Sequence, residues 1–172
     1  MSDIKIEELK SIGECVDSLS ELLIKIVDEG ASIGFLPPLK RIEAQNYWES
    51  VPGPEVILFV AKQGDEIVGS VQLHLCTKPN GRHRAEIAKL MTHPDCRQRG
   101  IGRSLMQKAE ERAKQEGKTL LVLDTREGDP SNRLYKALGF IQAGRIPGYA
   151  MSANGELDAT VIYYKSNIDN FT

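Results

Sequence analysis

Apolar residues recur at Ile12, Val16, Leu19, Leu23 and Ile26, in steps of three and four. That period predicts a helix over residues 11–29 with one buried stripe, stopped by Gly30. Before it, the alternation in DIKIEE predicts a first strand over residues 3–8. GASIGFLPPLK is apolar but broken by Gly34, Pro37 and Pro38, so it reads as a loop, and residues 40–50 as a second, short helix. EVILFVAKQ is a buried strand, GDE a turn and IVGSVQLHLCTK the next strand, with Val68, Ser70, Gln72 and His74 sharing a face. PNG turns the chain into RAEIAKLMT, a strand ended by Pro94. Ile101, Leu105, Ala109 and Ala113 then mark one face of a helix ended by Gly117. TLLVLDT reads as a fully buried strand. DPSNRLYKALG reads as a short helix with Asp129 as N-cap, Pro130 in the first position and Gly139 past the end. FIQAGRIPGY and ATVIYYK are two last strands joined by SANGELD.

Strands linked largely by hairpin turns, with helices between some of them, predict one α/β (α+β) domain over residues 1–172. A chain of 172 residues is long enough for one domain with a real core. Hydrophobic residues at 41% and charged residues at 27% are an ordinary globular balance. The net charge of −2 makes any basic cluster local and argues against a nucleic-acid partner. No apolar run is long enough to span a bilayer, and MSDIKIEELK lacks a secretory core, so no membrane partner and a cytoplasmic location are expected. Cys15, Cys76 and Cys96 are odd in number, form no CxxC and read as reduced thiols, buried or in loops, without a nucleophilic role. His93 and Cys96 have a tempting spacing, but no second pair completes a metal site, so none is expected.

The chemistry concentrates in HPDCRQRGIGRSLM. A strand feeds this loop and the loop feeds a helix, so Gly100, Ile101, Gly102 and Arg103 occupy the first turn. The leading N–H groups of a helix lack internal partners and carry partial positive charge. Glycines let an anion approach them, and flanking arginines add charge-assisted bonds, which together suit a phosphate. A tight turn with solvated arginines would have the same bare spacing. GxxxxGK[ST] and GxGxxG are both absent, which excludes a Walker A loop and leaves a dinucleotide fold unsupported.

The run Arg97-Gln98-Arg99-Gly100-Ile101-Gly102, set between LMTHP and RSLM and followed downstream by RLYKALGF, resembles the GCN5-related N-acetyltransferase (GNAT) family. These motifs and the segment joining them span residues 84–140, and the order of elements extends the likeness over nearly all of the chain. GASIGF, LCTKPNG, RAEIAKLM, LDT and PGY, scattered over residues 30–165, look like the tabtoxin-resistance acetyltransferase group.

The resemblance implies a mostly antiparallel sheet of six to seven strands, about four flanking helices, and a cleft where two parallel strands splay. It implies acetyl-CoA as cosubstrate, with its pyrophosphate on Arg97, Gln98, Arg99, Gly100, Ile101, Gly102, Arg103 and Ser104. Its pantetheine arm would lie along Leu90, Met91 and Thr92, and the Met91 N–H would hold the thioester oxygen. Tyr135 stands where the family's tyrosine donates a proton to the leaving thiolate; otherwise it is a packed core residue. The family's asparagine and alanine, seven and four residues before that tyrosine, are Gly128 and Ser131 here, so Ser131 or Asn132 would replace the usual contact to CoA.

Glu86 and Asp124, on the two strands, are the candidate bases. Asp124 ends an apolar run, and burial there would raise its pKa; a role in ordering the following loop is the alternative. Glu86 is either a base or an exposed strand charge paired with Arg84 or Lys89. The loop GASIGFLPPL and the hairpin PGYAMSANGELDAT read as walls of an acceptor pocket, with Tyr47, Trp48 and Tyr149 as apolar contacts. The expected acceptor is the amine of a small amino-acid-like molecule, such as a toxin or antibiotic detoxified by acetylation. A hydroxyl acceptor, a protein lysine or N-terminus, and a non-catalytic acyl-CoA sensor are the competing readings. Family likeness also allows a homodimer through exposed strand edges.

Overall fold

The computed structural model describes residues 3–167. Seven strands form one sheet: β1 (Ile4–Leu9), β2 (Val56–Gln63), β3 (Glu66–Leu75), β4 (Arg84–Thr92), β5 (Leu120–Arg126), β6 (Ile141–Met151) and β7 (Leu157–Ser166). Their order is β1-β2-β3-β4-β5-β7-β6, and only the β4–β5 pair is parallel. Helices α1 (Val16–Asp28) and α2 (Arg41–Ser50) cover one face, and α3 (Ile101–Gln115) and α4 (Ser131–Ala137) the other. Each face has its own core. Leu19, Leu23, Ile26 and Trp48 pack on Leu58 and Val60, while Ile101, Leu105, Ala109 and Tyr135 pack on Phe59, Leu73, Ile87 and Leu123.

Periodicity located these elements well and their ends less well. The first helix begins at Val16, so Ile12 is buried from the preceding turn and lies outside the helical stripe. α4 begins at Ser131 with Pro130 at its N-cap, and Asp129 instead accepts a bond from Arg126 Nε at 3.0 Å. The shared face expected of Val68, Ser70, Gln72 and His74 is broken at its first member. Ala61 faces Gly69 and Lys62 faces Ile67, so Val68 is extra on its strand and turns toward α3.

Two departures from regular pairing make the site. The β4–β5 ladder runs only from Arg84↔Leu120 to Glu86↔Val122, after which the strands splay. On the other edge of β4, Gln72 faces Ala88 and Ser70 faces Met91, so Lys89 and Leu90 together oppose Val71. This bulge holds Lys89 at φ 57° and re-aims the end of β4. A side chain at Gly69 would stand 3.0 Å from Ile101 Cγ2 and from the Met91 carbonyl oxygen. Glycine there lets the start of α3 lie directly on the sheet beside the splayed end of β4.

Candidate active site

The splay opens a cleft of about 1160 Å³ that passes from the α3–α4 face to the α1–α2 face. On the α3 side the chain leaves β4 through a short 3-10 turn, Pro94–Cys96, and enters α3. Gln98 and Gly100 have φ values of 63° and 77°, and Gly100 caps α3 with no side-chain bond. Alternating left-handed residues can turn successive N–H groups toward one side, an arrangement that suits an anion at a helix start. Arg97, Gln98, Gly100, Ile101, Gly102 and Arg103 line the cleft there. Arg99 is exposed and, like Ser104, does not line it. Arg97 Nη1 lies 3.2 Å from Glu29 Oε2, an exposed pair that leaves the remaining guanidinium donors available.

Beyond Glu86 the β5-facing edge of β4 has no strand partner, and Leu90, Met91 and Thr92 line the cleft along it. Such an edge can add an extended ligand as if it were another strand. Opposite stand Ser131, Leu134 and Tyr135 of α4. The Tyr135 ring is buried against Phe140 and Tyr163, with centroids 6.0 and 5.9 Å away. Burial, then the Asp124 and Asp129 charges, push its phenol far above the ordinary tyrosine value, so it carries its proton throughout the working range. Of the two residues considered in place of the family asparagine, Ser131 faces the cleft, its hydroxyl 2.7 Å from that of Thr125. Asn132 turns inward. Its amide donates to the carbonyls of Arg126 and Asp129, and its oxygen accepts from Tyr163 at 2.7 Å.

Glu86 and Asp124 both open into the cleft from the α1–α2 face. The full burial expected for β5 is not found: Leu121 and Leu123 are buried, whereas Asp124 is exposed. The splay removes the neighbour that would have covered it. Asp124 Oδ2 accepts from the Thr160 hydroxyl at 2.9 Å, which fixes the carboxylate without neutralising it. Glu86 forms no salt bridge with Arg84 or Lys89 among the described residues.

The α1–α2 half of the cleft contains groups that sequence reasoning assigned no role. Gln72 is buried and donates to Tyr47 Oη at 2.9 Å, and its oxygen lies 2.9 Å from His74 Nε2. Burial lowers the His74 pKa, against the nearby Glu86 charge, so the imidazole is neutral at neutral pH. The strand alternation was the available signal, because His74 pairs with Glu86 in register and so shares its face. Ala31 to Gly34 of the glycine-broken loop and Tyr149 and Asp158 of the last hairpin line the cleft as its walls. Tyr47 lines it too, whereas Trp48 is wholly buried and braces Tyr47 at a ring distance of 5.2 Å.

The profile of the acetyltransferase (GNAT) family matches residues 22–140. An uncharacterised N-acetyltransferase encoded in the hisH–hisA intergenic region of Azospirillum brasilense is 34% identical over 135 residues, covering 74% of this chain and 78% of the relative. Among solved structures, yncA of Salmonella typhimurium with its cofactor acetyl-CoA superposes with a TM-score of 0.79 at 17% identity, over 98% of this chain and 96% of that one. An N-acetyltransferase from Staphylococcus aureus Mu50 gives 0.83 at 16% identity, over 97% and 100%.

Proposed function

The chain belongs to the acetyltransferase (GNAT) family and is by that membership an acetyl-CoA-dependent N-acetyltransferase; we propose that its acceptor is the amine of a small, amino-acid-like molecule. The observation that carries the acceptor side is the cleft itself, which brings Glu86, Asp124 and Tyr135 to one opening. The residues fit acetyl-CoA: the left-handed turn before α3 suits its pyrophosphate, and the unpaired edge of β4 suits its extended pantetheine arm. Met91 N–H is the group assigned to the thioester oxygen, where it would hold developing negative charge. Glu86 or Asp124 takes the proton of the incoming ammonium, directly or through water, and frees the lone pair that attacks the thioester carbon. Tyr135, fully protonated, gives its proton to the departing thiolate. No covalent bond to the protein is needed.

An acyl-CoA sensor would not require two carboxylates and a protonated tyrosine around the same opening, and this favours an enzyme. The scattered likeness to the tabtoxin-resistance group supports an amino-acid-like acceptor and a detoxifying role in the cytoplasm. Among the described residues no helix is long and apolar enough to cross a membrane. Thiol release from acetyl-CoA, measured with small amines and with peptides bearing lysine or a free N-terminus, tests the reading. Turnover confined to peptides would replace the small acceptor, and binding without turnover of any amine would indicate a sensor.

Self-association belongs to the same proposal. The edge strand β6 exposes Ile141, Ile146, Tyr149 and Met151, an apolar edge that monomers usually guard. A second copy pairing there would cover it. Analytical ultracentrifugation is expected to show a dimer, and Ile146→Lys to shift it toward monomer. A monomeric wild-type chain at micromolar concentration would remove this element.

A further inference from the structure

Lys89 occupies an unusual position. It is a non-glycine residue held at φ 57°, in a region that L residues rarely adopt, at the bulge between β3 and β4, and it lines the cleft. Its ammonium donates to the Ile33 carbonyl at 2.6 Å and stands 5.9 Å from the centre of the Phe35 ring. Those contacts place it under the loop that walls the acceptor half, on the face that also carries Glu86, His74 and Gln72. An ammonium has three donors, and the Ile33 carbonyl uses one.

The charges around it are separate. No carboxylate lies within salt-bridge distance of Lys89 Nζ among the described residues. The charges of Asp124 and Glu86 nevertheless reach it and oppose the effect of its burial. A structural ion pair would have closed this gap. Instead Lys89 lines the cleft half-buried, beside two carboxylates, Glu86 and Asp124, that form no salt bridge with it. A ligand carrying both charges can satisfy both at once: its ammonium by the carboxylates, its anion by the lysine. A ligand without an anion would cover Lys89 and leave its two remaining donors without an acceptor, which is costly and so selects against it.

We propose that Lys89 binds a carboxylate of the acceptor and thereby delivers the neighbouring amine to Glu86 and Asp124. The substrate class is an amino acid, or a derivative of one, whose free carboxylate lies close to the amine that is acetylated. This rests on the small-molecule transfer reading above and adds the group that the site recognises.

The test offers each amine in two forms, as the free acid and as its carboxamide, and follows thiol release with the wild type, Lys89→Met and Lys89→Arg. The wild type is expected to favour the acid. Lys89→Met should raise KM for the acid by about 10–100-fold, the range of one charge-assisted hydrogen bond, and change KM for the carboxamide far less. Lys89→Arg, which retains the charge, should keep most of the preference. Loss of the tether to Ile33 would affect both forms alike, so the acid-to-carboxamide ratio isolates recognition from loop positioning. Lys89→Gln is the second neutral variant, used if Lys89→Met unfolds. An unchanged ratio in the neutral variant overturns the proposal, as does a wild type that ignores the carboxylate. Turnover of neutral amines or peptides alone overturns it while leaving acetyl transfer standing. No turnover of any amine removes the transfer reading and this inference with it.

Discussion

Gly102→Asp is expected to abolish acetyl-CoA binding without unfolding the protein. Gly102 is in the first turn of α3 and lines the cleft, and its φ is not in the left-handed region, so a side chain meets no backbone penalty. A Cβ there would lie 3.3 Å from Leu134 Cδ2 and 3.9 Å from Thr92 Oγ1, a contact that a small leucine shift relieves. The carboxylate would occupy the place assigned to the pyrophosphate and would itself take up the free N–H groups. Asp in a first helical turn stabilises the helix by about 0.3–1 kcal/mol. Binding should therefore disappear while thermal stability holds or rises. Calorimetry with acetyl-CoA decides it, and unchanged affinity in the folded variant would show that the anion lies elsewhere. Gly102→Ala separates charge from bulk: it adds the contacts of a Cβ without the carboxylate and should retain measurable affinity.

The same residues show why some features could be read in advance. Apolar spacing located α3 because its stripe depends only on one helix against one sheet, and Ile101, Leu105, Ala109 and Ala113 are all buried as that spacing requires. The glycine turn at the start of α3 was legible because glycines and a helix start are local features. What escaped depends on how distant segments meet. Asp124 follows Leu121, Val122 and Leu123, and the run looks uniformly buried, yet the splay of β4 from β5 uncovers its last part. No local residue announces that splay. The bulge at Lys89 is equally silent, since glycine is the usual mark of a left-handed residue and lysine gives no such sign. Gln72 reads as an ordinary alternating polar residue until α2 brings Tyr47 to it from 25 positions away.

Tyr135→Phe separates chemistry from packing. The ring stays, and with it the contacts to Phe140 and Tyr163; only the hydroxyl leaves. If Tyr135 is the acid, the thiolate must depart unprotonated or draw a proton from water. General acid catalysis is worth roughly 10²–10⁴-fold, so turnover should fall by about that factor. Acetyl-CoA affinity should hardly change, because proton donation belongs to the transition state. The raised pKa adds a second signature. A phenol that keeps its proton well above neutrality gives the wild type no loss of activity from its own ionisation near neutral pH, so an activity limb in that region must come from the acceptor amine or its base. If Tyr135 only packs, the variant should lose on the order of 1 kcal/mol of stability and work normally below its melting range. Turnover and thermal melting on one preparation therefore distinguish the two roles. Near-normal turnover with a lowered Tm would strip Tyr135 of the acid role and leave Glu86 or Asp124, acting through water, to carry both protons.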